Sequence, residues 1–197
     1  MLLAFVTFWV GLVVGVERVA VPLLGASDFH LSSFLLILSF VAVFGFVKAT
    51  VNLVGGAWAD RVGRRTSIAA GLVVAGVAVA PLVVTEGFWE WGAAAALAGA
   101  GMALIDPTLI ARAAGLAVPE HRGAYLGTFR FWRDAGYGFA GVSLGILADV
   151  RGLSVALFAV ALFMVVSAAA YLLLDGDPAK ERAGPGLMGA GLRTRTP

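Results

Sequence analysis

The chain has 197 residues, of which 60% are hydrophobic and 13% charged, and its formal net charge is +2. A soluble domain carries roughly 25% charged residues, so this composition excludes a soluble protein and indicates an integral membrane protein. The basic residues fall in short loops and a tail, so the basic balance does not indicate a nucleic-acid partner. The chain has no cysteine, which excludes disulfides and thiol chemistry.

Six apolar runs are long enough to cross a bilayer core, which takes about 20 residues of helix. Short connectors join them, so successive helices are predicted to be antiparallel neighbours. The predicted fold class is all-α, a polytopic membrane protein with six transmembrane helices. Residues 1–175 form this transmembrane domain, and the polar residues 176–197 are expected to be a disordered cytoplasmic tail. The runs cover approximately residues 2–24, 32–57, 67–85, 91–113, 123–148 and 152–174.

The basic residues predict the orientation of the chain, because basic residues close to helix ends stay in the cytoplasm. With the N-terminus inside, Arg151 is the one basic residue of the predicted outer loops. Trp89 and Trp91 flank Glu90, where an outer aromatic belt would lie. We therefore expect a protein of the plasma or inner membrane with both termini in the cytoplasm. The predicted inner loops and tail carry Arg61, Arg64, Arg65, Arg112, Arg122, Lys180, Arg182, Arg193 and Arg195.

The segment between the second and third runs reads GAWADRVGRR, residues 56–65. This pattern predicts a tight cytoplasmic turn, in which Gly63 adopts a backbone angle that other residues resist and Gly56 lets a neighbouring helix approach. Written G-x-x-x-D-R-x-G-R-R, it resembles the signature loop between the second and third helices of major facilitator superfamily transporters. The residues that carry the resemblance are Gly56, Asp60, Arg61, Gly63, Arg64 and Arg65.

This resemblance implies one six-helix half, the N-terminal one, of a normally twelve-helix transporter. The implied activity is secondary transport of a small solute by alternating access. The implied type of transport is efflux, or antiport of a drug or metabolite. Protons are the coupling ion that such antiport would use. The implied partner is a second six-helix half, so the chain is expected to be a half-size unit working as a homodimer or with a separate chain, or a fragment of a twelve-helix protein. The alternative is a membrane-embedded interaction or regulatory protein that keeps the fold without transport.

Charged side chains inside the apolar runs are candidates for function, because each costs roughly 2.5 to 3.5 kcal/mol on insertion scales unless it is paired or hydrated. Counting about 1.5 Å per residue from the cytoplasmic helix ends places five of them in one layer, about 10 to 16 Å deep. Asn52 follows the first of them by four residues and shares its helix face. The charged residues of this layer are Lys48, Asp106, Arg130, Arg133 and Asp134.

Asp106 and Glu17 are the acids with the most direct candidate roles. Asp106 precedes Pro107, which removes a backbone donor and is expected to open the helix locally. Asp106 is expected either to bind an ion or proton there or to neutralise Arg130 or Arg133 in a buried pair. In the outer third of the first run, Arg18 is expected to reach outward and leave Glu17 as a substrate or proton site.

The sequence does not indicate an enzyme. It contains no H-E-x-x-H, G-x-S-x-G or phosphate-loop pattern, and its two histidines lie in loops predicted on opposite sides of the membrane. Residues 136–141 spell G-x-G-x-x-G, but the segment lies inside a predicted membrane helix, which excludes a dinucleotide site. No cofactor and no metal site are predicted.

Overall fold

A computed structural model describes Phe8, Gly11 and residues 34–80 and 88–174 of the chain. The described residues form helices and no strand, so the all-α fold class is confirmed for them. The first apolar run, apart from Phe8 and Gly11, and the predicted tail 176–197 lie outside the described residues. The helices are α1 Phe34–Val62, α2 Arg64–Val79, α3 Phe88–Leu116, α4 Arg122–Arg151 and α5 Leu153–Leu174, with a short 3-10 turn at Pro119–His121.

Helices α1 to α5 correspond in order to the second to sixth apolar runs, but two of the connectors are far shorter than predicted. Only Gly63, with φ 92°, leaves the helical conformation between α1 and α2. Gly152, with φ 89°, makes the same one-residue break between α4 and α5. A positive φ is accessible to glycine without the steric cost of a Cβ, so both breaks favour glycine. The antiparallel hairpins therefore turn on single residues.

Three of the described helices are long and apolar enough to cross a membrane, fewer than the six spans predicted for the whole chain. They contain the segments Leu38–Val62, Trp89–Gly115 and Leu153–Leu173. By contrast, α2 has 16 residues and α4 carries arginine and aspartate side chains within its 30 residues. The apolar helices identify an integral membrane protein.

Helix α3 lies at the centre of the described bundle, with α1 on one side and α2 on another. A Cβ at Gly99 would lie 2.6 Å from the Phe44 carbonyl oxygen of α1, and a Cβ at Gly101 would lie 2.8 Å from the Gly71 carbonyl oxygen of α2. Glycine therefore brings the backbones into contact on both sides, as small residues do in membrane helix pairs. The largest fully buried side chains are Trp91, Ile68, Leu72, Met102, Ile105, Leu109, Leu157 and Met164.

The contacts along each helix pair give the helix directions. Phe40 packs on Trp91 with ring centroids 4.6 Å apart, and Gly55 lies further along α1 beside Ala103, which lies further along α3. Helices α1 and α3 are therefore parallel. Helix α2 joins α1 through a one-residue turn and runs antiparallel to both.

We expect Gly99→Ala to destabilise the protein. Because the added methyl group would meet a backbone carbonyl of α1, the helices must separate, at a cost of about 1–3 kcal/mol for overpacking. The matched control is Gly92→Ala on the same helix, where no atom lies within 4 Å of the new Cβ and alanine should be neutral or slightly stabilising. Thermal unfolding of both variants in mild detergent measures the difference. Equal melting temperatures would contradict the close contact of α1 and α3.

Candidate functional site

An ion pair between α1 and α3 forms the centre of the candidate site. The Lys48 ammonium group donates a hydrogen bond to the Asp106 carboxylate. The two side chains are 16% and 21% exposed, so both charges are largely withdrawn from the surroundings. A charge pair in such a place tolerates burial because each group neutralises the other.

The partner of Asp106 differs from the prediction. One of its two predicted roles is to neutralise Arg130 or Arg133, whereas the structure pairs it with Lys48; the other, binding an ion or proton, stays a prediction. The physical reason is the packing of the helices: α3 makes extensive contact with α1 and little with α4. A Cβ at Gly99 would lie only 3.4 Å from the backbone nitrogen of Lys48, so α1 holds Lys48 close to α3.

The α3 helix continues through Pro107, so the opening predicted beside Asp106 is confined to the backbone hydrogen bond that proline cannot make. Proline removes the donor for the carbonyl four residues earlier, that of Ala103. This oxygen lies 3.2 Å from the Cβ position of Gly55 on α1, so a neighbouring backbone covers it. One turn along, Thr108 and Ser67 both donate hydrogen bonds to the Leu104 carbonyl, at 2.8 Å and 3.2 Å.

A second charge pair lies on α4. The Arg133 Nε donates to the Asp134 carboxylate at 3.0 Å, with side-chain exposures of 23% and 59%. The Arg133 guanidinium carbon also lies 5.8 Å from the centroid of the Tyr137 ring, within the range of a cation–π contact. The Lys48–Asp106 pair joins two helices, whereas the Arg133–Asp134 pair joins neighbouring residues of one helix. That all these charges share one depth stays a prediction.

Arg130 and Asn52 are the remaining candidates of this layer in the described part of the chain. Both are exposed. Among the described residues, no hydrogen bond or ion pair links either of them to another side chain. Glu17 and Arg18, the two candidates of the first run, lie outside the described residues. The structure thus brings Lys48 and Asp106 together between α1 and α3, and Arg133 and Asp134 together on α4.

The signature segment is helical on both sides of Gly63. Asp60 and Arg61 are exposed at the end of α1, and Arg64 begins α2. The Arg64 Nη1 lies 3.7 Å from the Cβ position of Gly115, so the segment borders the end of α3. No atom lies within 4 Å of the Cβ position of Gly56. None of the other described helices comes within 4 Å of that position, and the role predicted for Gly56 stays a prediction.

Arg112 has a partner that the sequence did not indicate. Its Nη1 donates to the Tyr171 hydroxyl at 2.6 Å, and its guanidinium carbon lies 6.0 Å from the Tyr171 ring centroid. This contact joins the C-terminal ends of α3 and α5. The signal available in the sequence is slight: Tyr171 is the one phenol in the run of α5, close to its inner end.

Comparison with known proteins gives two findings. A family model described as Major Facilitator Superfamily matches residues 3–194. A Salmonella typhimurium protein named as an uncharacterized MFS-type transporter is 30% identical over 135 residues, which are 68% of this chain and 35% of that relative. The chain therefore spans about a third of the length of this relative.

Double-mutant analysis tests the Lys48–Asp106 pair. Lys48→Met and Asp106→Asn each leave one charge without its partner, so we expect each to lower stability by about 1–3 kcal/mol, between the values for exposed and buried pairs. The double variant should be more stable than the sum of the two losses implies, because no unpaired charge remains. Thermal unfolding in detergent measures all three.

The control combines Asp134→Asn with Lys48→Met, because Asp134 has Arg133 as its partner. The loss of stability in this double variant should equal the sum of the losses in the two single variants. If the losses of stability from Lys48→Met and Asp106→Asn were also additive, the pair would contribute no coupling free energy.

Proposed function

The chain belongs to the Major Facilitator Superfamily, and we propose on this basis that it carries a small organic solute across the cell membrane by alternating access. Members of this family are transporters and not enzymes. The solute is exported, in exchange for protons. The observation that carries the proposal is the largely buried ion pair between Lys48 of α1 and Asp106 of α3.

We propose six spans, and the directions of the described helices support five of them. Helices α1 and α3 are parallel, and each is long and apolar enough to span. In the sequence, α2 is the helix that lies between these two parallel spans. The chain must therefore cross back through α2 before α3 can run in the same direction as α1. Likewise, Arg112 and Tyr171 join the C-terminal ends of α3 and α5, so α4 must return between these two spans. With 30 residues, α4 is about 45 Å long, enough to cross a bilayer core.

A second six-helix unit completes the proposed transport path. In transporters of this architecture the solute site lies near the bilayer midplane between two such units. The chain covers 35% of its Salmonella relative, which leaves room in that protein for another unit of this size. The second unit is carried by the same polypeptide, by a second copy or by a separate chain.

Asp106 is the proposed proton-coupling group. Protonation would remove its negative charge and release Lys48, so the link between α1 and α3 would weaken when a proton binds. Loss of the Asp106 charge would remove the ion pair between α1 and α3, two spans that are otherwise in contact through their backbones. The pair therefore couples protonation to helix movement.

Topology can be tested directly, because the chain has no cysteine. We propose that both termini are cytoplasmic, so Ser27→Cys should react with a membrane-impermeant maleimide added to intact cells. Thr194→Cys should react only after the cells are permeabilised. The reverse pattern would overturn the proposed orientation.

Proton coupling can be tested with the purified protein in liposomes that contain a pH-sensitive dye. Gradients of benzenesulfonate, tetramethylammonium and a neutral sugar are imposed in turn. At least one gradient should drive proton movement in the wild type, and Asp106→Asn should reduce this movement at least about tenfold, because the carboxylate is lost. Glu120→Gln, at an exposed acid before α4, is the control and should behave like the wild type.

Two results would contradict the proposal. Proton movement that persists unchanged in Asp106→Asn would exclude Asp106 as the coupling group. Absence of solute-dependent proton movement in a correctly folded wild type would contradict proton-coupled exchange of these solute classes.

A further inference from the structure

Among the residues that the structure describes, the predicted charged layer has one cation more than it has anions. It contains three cations, Lys48, Arg130 and Arg133, and two anions, Asp106 and Asp134, so its net charge is +1. Lys48 pairs with Asp106, and Arg133 pairs with Asp134. The excess charge is therefore that of Arg130.

Asp134 could have neutralised Arg130 but does not. The two residues are four apart on α4, a spacing at which opposite charges lie on the same helix face and pair readily. Instead the Asp134 carboxylate accepts from Arg133 at 3.0 Å. Among the described residues Arg130 therefore has no partner. A guanidinium without a partner is costly inside a membrane span, as α4 is proposed to be, and such residues mark substrate or ion paths.

The surface around Arg130 is open. Gly127 precedes it by three residues and Gly138 follows Asp134 by four, so both lie on the same side of α4. No atom lies within 4 Å of the Cβ position at either glycine. Arg130 and Asp134 are themselves exposed. This side of α4 therefore offers a cation and a smooth backbone surface to an approaching molecule.

We propose that Arg130 binds an anionic group of the transported solute, a carboxylate, sulfonate or phosphate. The planar guanidinium presents paired donors that match the oxygens of such groups. A solute anion would neutralise the excess charge of the layer, whereas a cationic solute would meet an unneutralised positive charge. This inference rests on the transport function proposed above and names the solute class for it.

The test uses Gly127→Cys, a single cysteine next to Arg130 in a chain that has no other. The open space at this position accommodates the new side chain. The purified protein is labelled with three methanethiosulfonates, one carrying a sulfonate, one a trimethylammonium group and one no charge. The neutral reagent corrects each rate for access to the thiol.

We expect the sulfonate reagent to react faster than the trimethylammonium reagent, and its rate to saturate with concentration because it binds before it reacts. Replacing Arg130 by glutamine in this background should lower the sulfonate-to-trimethylammonium rate ratio at least about fivefold, the effect of one charge about 7 Å away in water. The saturation should disappear. Arg151→Gln removes the same charge from the far end of α4 and should leave the ratio unchanged.

Three results would overturn the inference: a rate ratio that Arg130→Gln does not change, a sulfonate rate that stays linear with concentration, or no labelling by any reagent in a folded protein. Each is distinct from failure of the proposed transport function, which the liposome measurement reports separately. Preferential sulfonate labelling without any solute-dependent proton movement would retain the anion site and reject proton-coupled transport. Proton movement driven by tetramethylammonium and not by benzenesulfonate would retain transport and reject the anionic solute.

Discussion

The backbone contact between α1 and α3 is the constraint on which the described structure depends. Gly99 allows the Phe44 carbonyl oxygen to come so close that no side chain fits between the helices. That approach holds Lys48 within hydrogen-bonding distance of Asp106. Apolar side chains gain little free energy when they move from lipid into a helix contact. Close packing of this kind and a polar contact therefore supply much of the free energy that holds the helices together. The position of the ion pair is therefore a consequence of the glycine contact.

Glycine has two different roles in this protein. On α2 and α3, Gly71 and Gly101 face each other so closely that the Cβ of either would touch the backbone of the other helix. On α4, Gly127 and Gly138 face open space. The first pair stabilises a fixed contact. The second pair leaves a smooth surface beside two charged side chains. Such a surface suits a molecule or helix that binds reversibly.

The apolar runs predicted the helices well, because a membrane span needs about 20 apolar residues and few other elements meet that demand. The helix ends were harder to predict. Asp60 and Arg61 are polar, but nothing in their backbone chemistry ends a helix, so α1 continues until Gly63 takes a positive φ. Depth counting placed the charges in one layer, which stays a prediction. It could not identify the Lys48–Asp106 pair, because depth does not say which helices are neighbours.

The charges of this layer show how a membrane helix bundle can keep some polar groups fixed and others available. Where α1 and α3 are in backbone contact, the lysine and the carboxylate are largely buried and paired with each other. On α4 the Asp134 carboxylate is 59% exposed, and Arg130 has no partner among the described residues. The fixed pair favours one arrangement of helices, while the exposed Arg130 guanidinium is available to an anion. A molecule bound at α4 would therefore act on exposed charges, whereas a proton bound at Asp106 would act on the contact between α1 and α3.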